Sequence, residues 1–291
     1  MTGNLYAMIT TRNSRAYTDI ALSTFFKSTR LKSTDEFILI DNDNEGDYQA
    51  SGTIINNIEP KSFAKNCNDM IDRANGKNFF LLSNDVAFTP GWNEPLAQYS
   101  NVLSIPSCNQ THLYSIGNLN LQPSMSISDY NNQHLELIRA TNLHKSQNRT
   151  GFYERLLMGF YVFMLPASVY NKIGYFDETF GVGGGEDVDY RLRAIQQDIP
   201  VKYLSQSYLL HFAGKSTWDG PEHQREIEER NKKYFSTFAI KWGEDLANLC
   251  LVGGNAIAVI EKYQLHTLIQ AQEFSKAIKA VLNTTNRTTH E

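Results

Sequence analysis

Along much of the chain, short apolar runs alternate with longer stretches in which apolar residues recur every three or four positions. Leu5 to Thr10 (LYAMIT), Phe37 to Ile40 (FILI), Phe79 to Leu82 (FFLL) and Phe160 to Leu165 (FYVFML) are short and lack polar alternation. They predict strands covered on both faces. Ile54 and Ile55 suit a short third strand, and Val201 to Leu204 and Tyr208 to His211 two more. Between the strands, Arg15 to Phe26 carries Ala16, Ile20 and Phe26 as a helix. Phe63 to Ala74 predicts another, closed by Asn75-Gly76 as its C-cap. Strands alternating with helices predict an α/β fold with a doubly wound, mostly parallel sheet flanked by helices.

Ligands of such sheets bind beyond the carboxyl ends of the strands. Polar runs follow two of the strands, DNDNEGD after Ile40 and SNDVAFTPGW after Leu82, so Asp41 and Asp85 are expected at one crevice. Two regions break the rhythm. Residues 104–149 are rich in Asn, Gln, Ser and His and show no sustained period. A long irregular segment of this kind is a candidate lid or acceptor-side insertion, and equally a surface excursion. Beyond Trp242-Gly243, the stretches 257–263 and 267–282 are amphipathic and helical. They predict a C-terminal extension, 244–291, that either packs on a domain spanning 1–243 or serves a homo-oligomer or another partner.

The most informative chemistry lies in GYFDETFGVGGGEDVDYRLRA, Gly174 to Ala194. Three glycines run into Glu186, Asp187 and Asp189, after which Val188, Leu192 and Ile195 fall at i, i+4 and i+7, one apolar helix face. Carboxylates in a first helical turn cap free N–H groups and complement the helix dipole. Capping does not require the open, mobile backbone that glycines supply beside them. That surplus points to a catalytic edge.

Composition narrows the classes. With 41% hydrophobic and 20% charged residues in a chain of 291, this is an ordinary globular protein of one large domain, or one with an appendage. The net charge of −4 gives no reason to expect a nucleic acid partner. Three widely spaced cysteines, Cys67, Cys108 and Cys250, form no C-x-x-C and suggest a reducing compartment without a disulfide framework or zinc site. The N-terminus lacks the pattern of a signal peptide, and the most apolar later stretch is too short to span a bilayer. The expectation is a cytoplasmic protein without a transmembrane segment, compatible with peripheral attachment at the inner membrane face.

FDETFGVGGGEDVDYRLR closely resembles the acidic motif of inverting family 2 glycosyltransferases of the GT-A fold, among them bacterial rhamnosyltransferase-like members. The resemblance implies that Asp187 is the general base, with Glu186 in a supporting role. SNDVAFTPGW resembles the family's metal motif, with Asp85 as the metal-binding acid and Asn84 near the donor; Ser83 and Asn84 stand where carboxylates are common. YLLHFAGKST resembles its closing element, so His211 completes the metal site, while Lys215 and Ser216 approach the donor phosphates. MITTRNS resembles the opening loop, with Thr11 and Asn13 matching. ILIDNDNEGD makes Asp41 the nucleobase contact, with Asp43 beside it. FAKNCNDMI matches a donor-side helix at Asn68, although Met70 replaces a glycine. These motifs occur in order from about Leu5 to Gly243. They imply a transferase that moves a hexose or deoxyhexose from a nucleotide-sugar donor to a hydroxyl acceptor, a glycan, lipid-linked or other, assisted by Mn²⁺ or Mg²⁺.

Two other classes stay open on the sequence. A nucleotidyltransferase shares this kind of crevice, yet TTRNSRAYTD lacks the Gly-rich basic loop expected after its first strand. A non-catalytic sugar-nucleotide-binding protein is suggested by the missing acids before Asp85 and opposed by intact Glu186-Asp187.

Overall fold

The computed structural model describes residues 3–44, 46–109, 126–132, 134, 151–212 and 224–288. A nine-stranded sheet forms its frame, with β1 (Asn4–Ile9), β2 (Glu36–Asp41), β3 (Thr53–Asn56), β4 (Asn78–Ser83), β6 (Leu103–Cys108), β8 (Val162–Leu165) and β9 (Val201–His211). The two-residue strands β5 (Val86–Ala87) and β7 (Phe152–Tyr153) flank opposite ends of β9. The order is β3-β2-β1-β4-β8-β6-β9-β5, with β7 also on β9. β1 to β4, β6 and β9 run one way and β5, β7 and β8 the other, so the sheet is mostly parallel.

Strands lacking polar alternation have no face to give to water, and they take none. All six residues of β1 are buried, as are five of six in β2 and four of six in β4. Helices α1 (Arg15–Ser28) and α2 (Phe63–Ala74) cover the parallel half. The left-handed C-cap expected after α2 is present, with Asn75 at φ 43°. Tyr6 of β1 stacks on Phe80 of β4 at 4.6 Å, and fully buried Trp92 donates its indole N–H to Thr29 Oγ1 at 2.8 Å.

Two expectations change. The strands expected at 201–204 and 208–211 are one strand, because the polar residues between them are satisfied in place: Ser205 Oγ donates to Gly151 O at 3.0 Å and Ser207 Oγ to Trp92 O. The irregular segment starts later than position 104, since Ser104 to Cys108 lie in buried β6, parallel to β9. Most of 104–149 lies outside the described residues.

After α3 (Ala167–Ile173), the acidic motif forms α4 (Glu186–Gln196). Helices α5 (Gln224–Trp242), α6 (Glu244–Cys250), α7 (Ala256–Lys262), α8 (His266–Gln270) and α9 (Phe274–Thr288) follow. Leu192 and Ile195 of α4 bury themselves with Phe238, Leu246, Ile278 and Val281 in a second apolar cluster. The C-terminal helices thus pack on the helix that carries the acidic motif. Among the described residues, no helix is long and apolar enough to cross a membrane.

Candidate functional site

The chain runs from β1 to β2 and β3 on one side, then crosses back to place β4 on the other side of β1. That reversal opens a crevice at the carboxyl ends of β1 and β4. Thr11, just past β1, donates to Asn84 Oδ1, just past β4, at 3.3 Å. A cleft of about 1560 Å³ lies there, and its wall includes Thr11, Arg12, Asn42, Asp43, His211 and the Gly181–Val188 segment.

The glycine run is explained by two aromatic rings. Gly184 has φ +118°, and a Cβ there would sit 2.8 Å from the Tyr234 ring of α5. Gly185, the N-cap of α4, has φ +90°, and its Cβ would meet the Phe180 ring at 3.0 Å. Both the backbone conformation and the close approach require glycine. Gly183 has no such contact, its nearest neighbour being Glu186 Oε1 at 3.8 Å.

This loop holds the acidic pair. Gly184 N–H donates to Glu186 Oε2 at 2.6 Å, turning that carboxyl back under the loop, where Glu186 is only 6% exposed. Burial, together with the adjacent Asp187 charge, pushes the Glu186 carboxyl up to about 8. Half-buried Asp187 accepts from Val188 N–H at 2.8 Å, and the Phe160 backbone N–H also favours its charged form. Burial also raises Asp187, opposed by these N–H groups and by the Arg191 guanidinium. Asp189 is different. Fully buried, it pairs with Arg193 at 2.9 Å and Lys241 at 2.6 Å and accepts from the Trp242 indole at 2.8 Å, tying α4 to α5.

On β9, His211 pairs in register with Val86 and brings its Nε2 to 3.3 Å from Asp85 Oδ1. Asn109 fixes the His211 backbone from both sides, donating to its carbonyl at 3.1 Å and accepting its N–H at 2.7 Å. Tyr161 stacks on the imidazole at 4.8 Å, and Ser83 Oγ donates to Asp85 Oδ1 at 2.5 Å. Burial pulls the imidazole down, but the Asp85 charge and hydrogen bond outweigh it and lift the group to about 10.

The residues expected at the donor are sorted by the structure. Thr11 and Asn84 reach the cleft wall, although Asn84 also spends its amide N–H groups on Ser14 Oγ at 2.6 Å and Thr18 Oγ1 at 2.8 Å. Asp41 is fully buried and accepts from Gly46 N–H at 2.9 Å, so Asn42 and Asp43 supply the wall beside it. Asn68 lies on the buried side of α2. It donates to Phe176 O at 3.0 Å and Glu178 Oε1 at 2.8 Å and accepts from Phe176 N–H at 2.8 Å, which pins the segment leading to the glycines. Asn13 sits in a left-handed turn at φ 59° outside the cleft wall. Lys215 and Ser216 lie outside the described residues.

Sequence reasoning missed Tyr234 because it did not predict α5 at all. Tyr234, Phe238 and Trp242 at i, i+4 and i+8 were the available signal, obscured by the charged run before them.

No protein-family model matches the sequence, and no curated protein matches it. Among solved structures, GalNAc-T7 with UDP, GalNAc and Mn²⁺ aligns with a TM-score of 0.55 at 11% identity over 92% of this chain. The chain spans 57% of that protein's length. TarS 1–349 of S. aureus aligns at a TM-score of 0.47 and 11% identity, covering 99% of this chain and 92% of the other. The mannosyltransferase PcManGT from Pyrobaculum calidifontis, in complex with GDP-Man and Mn²⁺, gives 0.46 and 11%, covering 97% and 86%. The first of these likenesses, with the strand order above, defines a GT-A-type fold.

Proposed function

We propose that this protein is an inverting glycosyltransferase that moves a sugar, a hexose or deoxyhexose, from a nucleotide-sugar donor to a hydroxyl acceptor. The observation that carries the reading is the paired environment of Glu186 and Asp187. Glu186 is turned inward and raised to about 8, while Asp187, also raised by burial, is half-buried on the wall of the cleft at the switch point. A single displacement needs one base and no carboxylate nucleophile. Asp187 takes the acceptor hydroxyl proton as the new C–O bond forms, and the bond from the sugar to the diphosphate breaks with its electrons leaving on the nucleoside diphosphate. Glu186, holding its proton at neutral pH, spares Asp187 a second adjacent charge. Thr11, Arg12, Asn42 and Asp43 offer donors and acceptors for the nucleotide at the opposite part of the wall.

A divalent cation fits Asp85 and His211. Asp85 Oδ1 and His211 Nε2 lie 3.3 Å apart, and a carboxylate and an imidazole this close together could hold the ion jointly. Among the described residues no three His, Cys, Asp or Glu side chains are grouped to hold a metal alone, so diphosphate oxygens and water would complete the shell. A carboxylate with one imidazole suits Mn²⁺ or Mg²⁺, and the GalNAc-T7 structure was solved with Mn²⁺. When bound, the ion would neutralise the charge developing on the leaving diphosphate.

The test is a thermal-shift screen of nucleotide sugars with and without Mn²⁺, followed by assay of nucleoside diphosphate release. The correct donor at 100 times its Kd stabilises by about 2.7 kcal/mol. His211→Ala is expected to remove the Mn²⁺-dependent part of the shift. Absence of any stabilising nucleotide sugar would reject the reading.

A further inference from the structure

The tripeptide Val-Gly-Gly occurs twice in the chain, at residues 182–184 and 252–254. Far apart in sequence, both valines nevertheless line the cleft that holds Asp187. Both are exposed, Val182 by 77% and Val252 by 64%. A lone exposed apolar residue needs no explanation. Two on one cleft wall do, because loops favour Gly, Pro, Asn, Asp and Ser, and a β-branched residue suits neither of these on local grounds.

The second loop belongs to the C-terminal extension and is built to hold its valine in place. Leu251, just before Val252, is buried and donates its N–H to Ala247 O at 3.0 Å. Gly253 turns the chain at φ +87°, and Gly254 N–H donates to Leu251 O at 3.2 Å. A Cβ on Gly254 would meet Asn248 O at 2.5 Å, and Asn248 Oδ1 accepts from Asn255 N–H at 3.0 Å. In the first loop, the Val182 carbonyl accepts from Phe63 N–H of α2 at 3.4 Å. Half-buried Leu157 and Phe235 line the same cleft as the valines. Val182 precedes Asp187 by five residues, so a hydroxyl brought to Asp187 carries the rest of its molecule past that valine.

We propose that the C-terminal extension completes the acceptor side of the cleft, and that Val182 and Val252 receive an apolar arm, alkyl or aryl, joined to the hydroxyl-bearing unit of the acceptor. The inference rests on the reading of the cleft as a transferase site and names its acceptor class, an amphiphile. Arg230 and Lys232 of α5 also line the cleft, which sets against a cationic arm.

The test is a chain-length series: methyl, butyl, hexyl and octyl β-glucoside, each below its micelle concentration, titrated against the full chain carrying ¹³C-labelled valine methyls. Affinity is expected to rise by up to about fourfold per buried methylene, with the Val182 and Val252 methyl resonances moving for octyl and not for methyl glucoside. Both side chains are exposed, so Val182→Ser and Val252→Ser should fold as the wild type does. The double variant should flatten the chain-length dependence and keep the thermal shift given by nucleotide sugar. Affinity independent of chain length, or a dependence unchanged in the double variant, overturns the proposal. So does movement of both valine methyls on nucleotide-sugar binding alone without any chain-length effect, since the protein itself would then cover them. Co-sedimentation with phosphatidylcholine vesicles carrying a glucosyl diacylglycerol supports the proposal with a lipid as the source of the arm. Chain-length dependence without co-sedimentation supports it with a soluble aglycone. A chain-length effect in a protein that no nucleotide sugar stabilises would reject the transferase reading and leave the apolar site standing. Stabilisation by nucleotide sugar without a chain-length effect would do the reverse.

Discussion

Two neighbouring carboxyls with different surroundings predict different outcomes when each is neutralised. Asp187→Asn is expected to leave nucleotide-sugar binding nearly intact, read by thermal shift, while turnover falls by roughly 10²-fold or more, the scale of general-base catalysis. Near-normal turnover would end the assignment. Glu186→Gln should be milder, since an amide oxygen still accepts the Gly184 N–H. It should also change the pH dependence of stability. A carboxyl whose folded value lies near 8 binds its proton more tightly when folded than when unfolded, near 4.5. That proton stabilises the fold at low pH, and the benefit is lost as pH rises from about 4.5 to about 8. Melting temperatures should therefore show Glu186→Gln gaining on wild type across this window. A constant difference would mean that Glu186 titrates normally.

At the scale of elements, the glycine run and α5 form a single device. The Tyr234 ring lies on the Gly184–Gly185 backbone, so the loop before Glu186 is shaped by a helix some forty residues away in sequence. Gly184→Ala meets both a positive φ of 118° and a ring 2.8 Å from the new methyl. It is expected to cost about 1–3 kcal/mol for the backbone conformation alone, with reduced turnover as Glu186 loses its N–H. In Tyr234→Ala the same substitution should cost less, because the collision is gone and only the backbone strain remains. Equal costs in both backgrounds would show that ring and loop are not coupled. Asn68 acts in the same way from the other side, holding Phe176 and Glu178 with three hydrogen bonds.

For the molecule as a whole, the extension 244–291 packs on the helix that carries the acidic motif. Leu246, Leu249, Ile260, Ile278 and Val281 are buried against a cluster that includes Leu192 and Ile195 of the acidic helix. At ~1.5–3 kcal/mol for each such side chain, their removal exceeds much of the ~5–15 kcal/mol net stability of a typical domain. We propose that residues 1–243 alone do not form a stable unit. The full chain should melt in one cooperative transition, and the truncated chain should lose that transition or precipitate. A truncated protein with a sharp melt and nucleotide-sugar binding would establish the extension as a true appendage.

How much of this was legible in the sequence depends on range. A continuous apolar run such as Phe79 to Leu82 reads as a buried strand and Asn75-Gly76 as a helix end, because both follow from backbone geometry and local burial. The order of polar loops at strand ends, and the glycines leading into Glu186 and Asp187, are likewise local facts. What each side chain does once there is decided by partners far along the chain. Asp41 reads as a ligand contact but folds its own loop around itself, and Asn68 bonds residues more than a hundred positions away. Asp189 looks equivalent to Asp187 in the sequence, yet Lys241 and Trp242 claim it. Hydrogen bonds and ion pairs act over about 3 Å, and only the folded chain sets which groups come that close. The sequence by itself determined the alternating strands and helices, the polar loops at the strand ends and the acidic turn. Tertiary structure alone decided that burial raises Glu186 and Asp187 at the cleft wall while Asp189 is paired with Arg193 and Lys241.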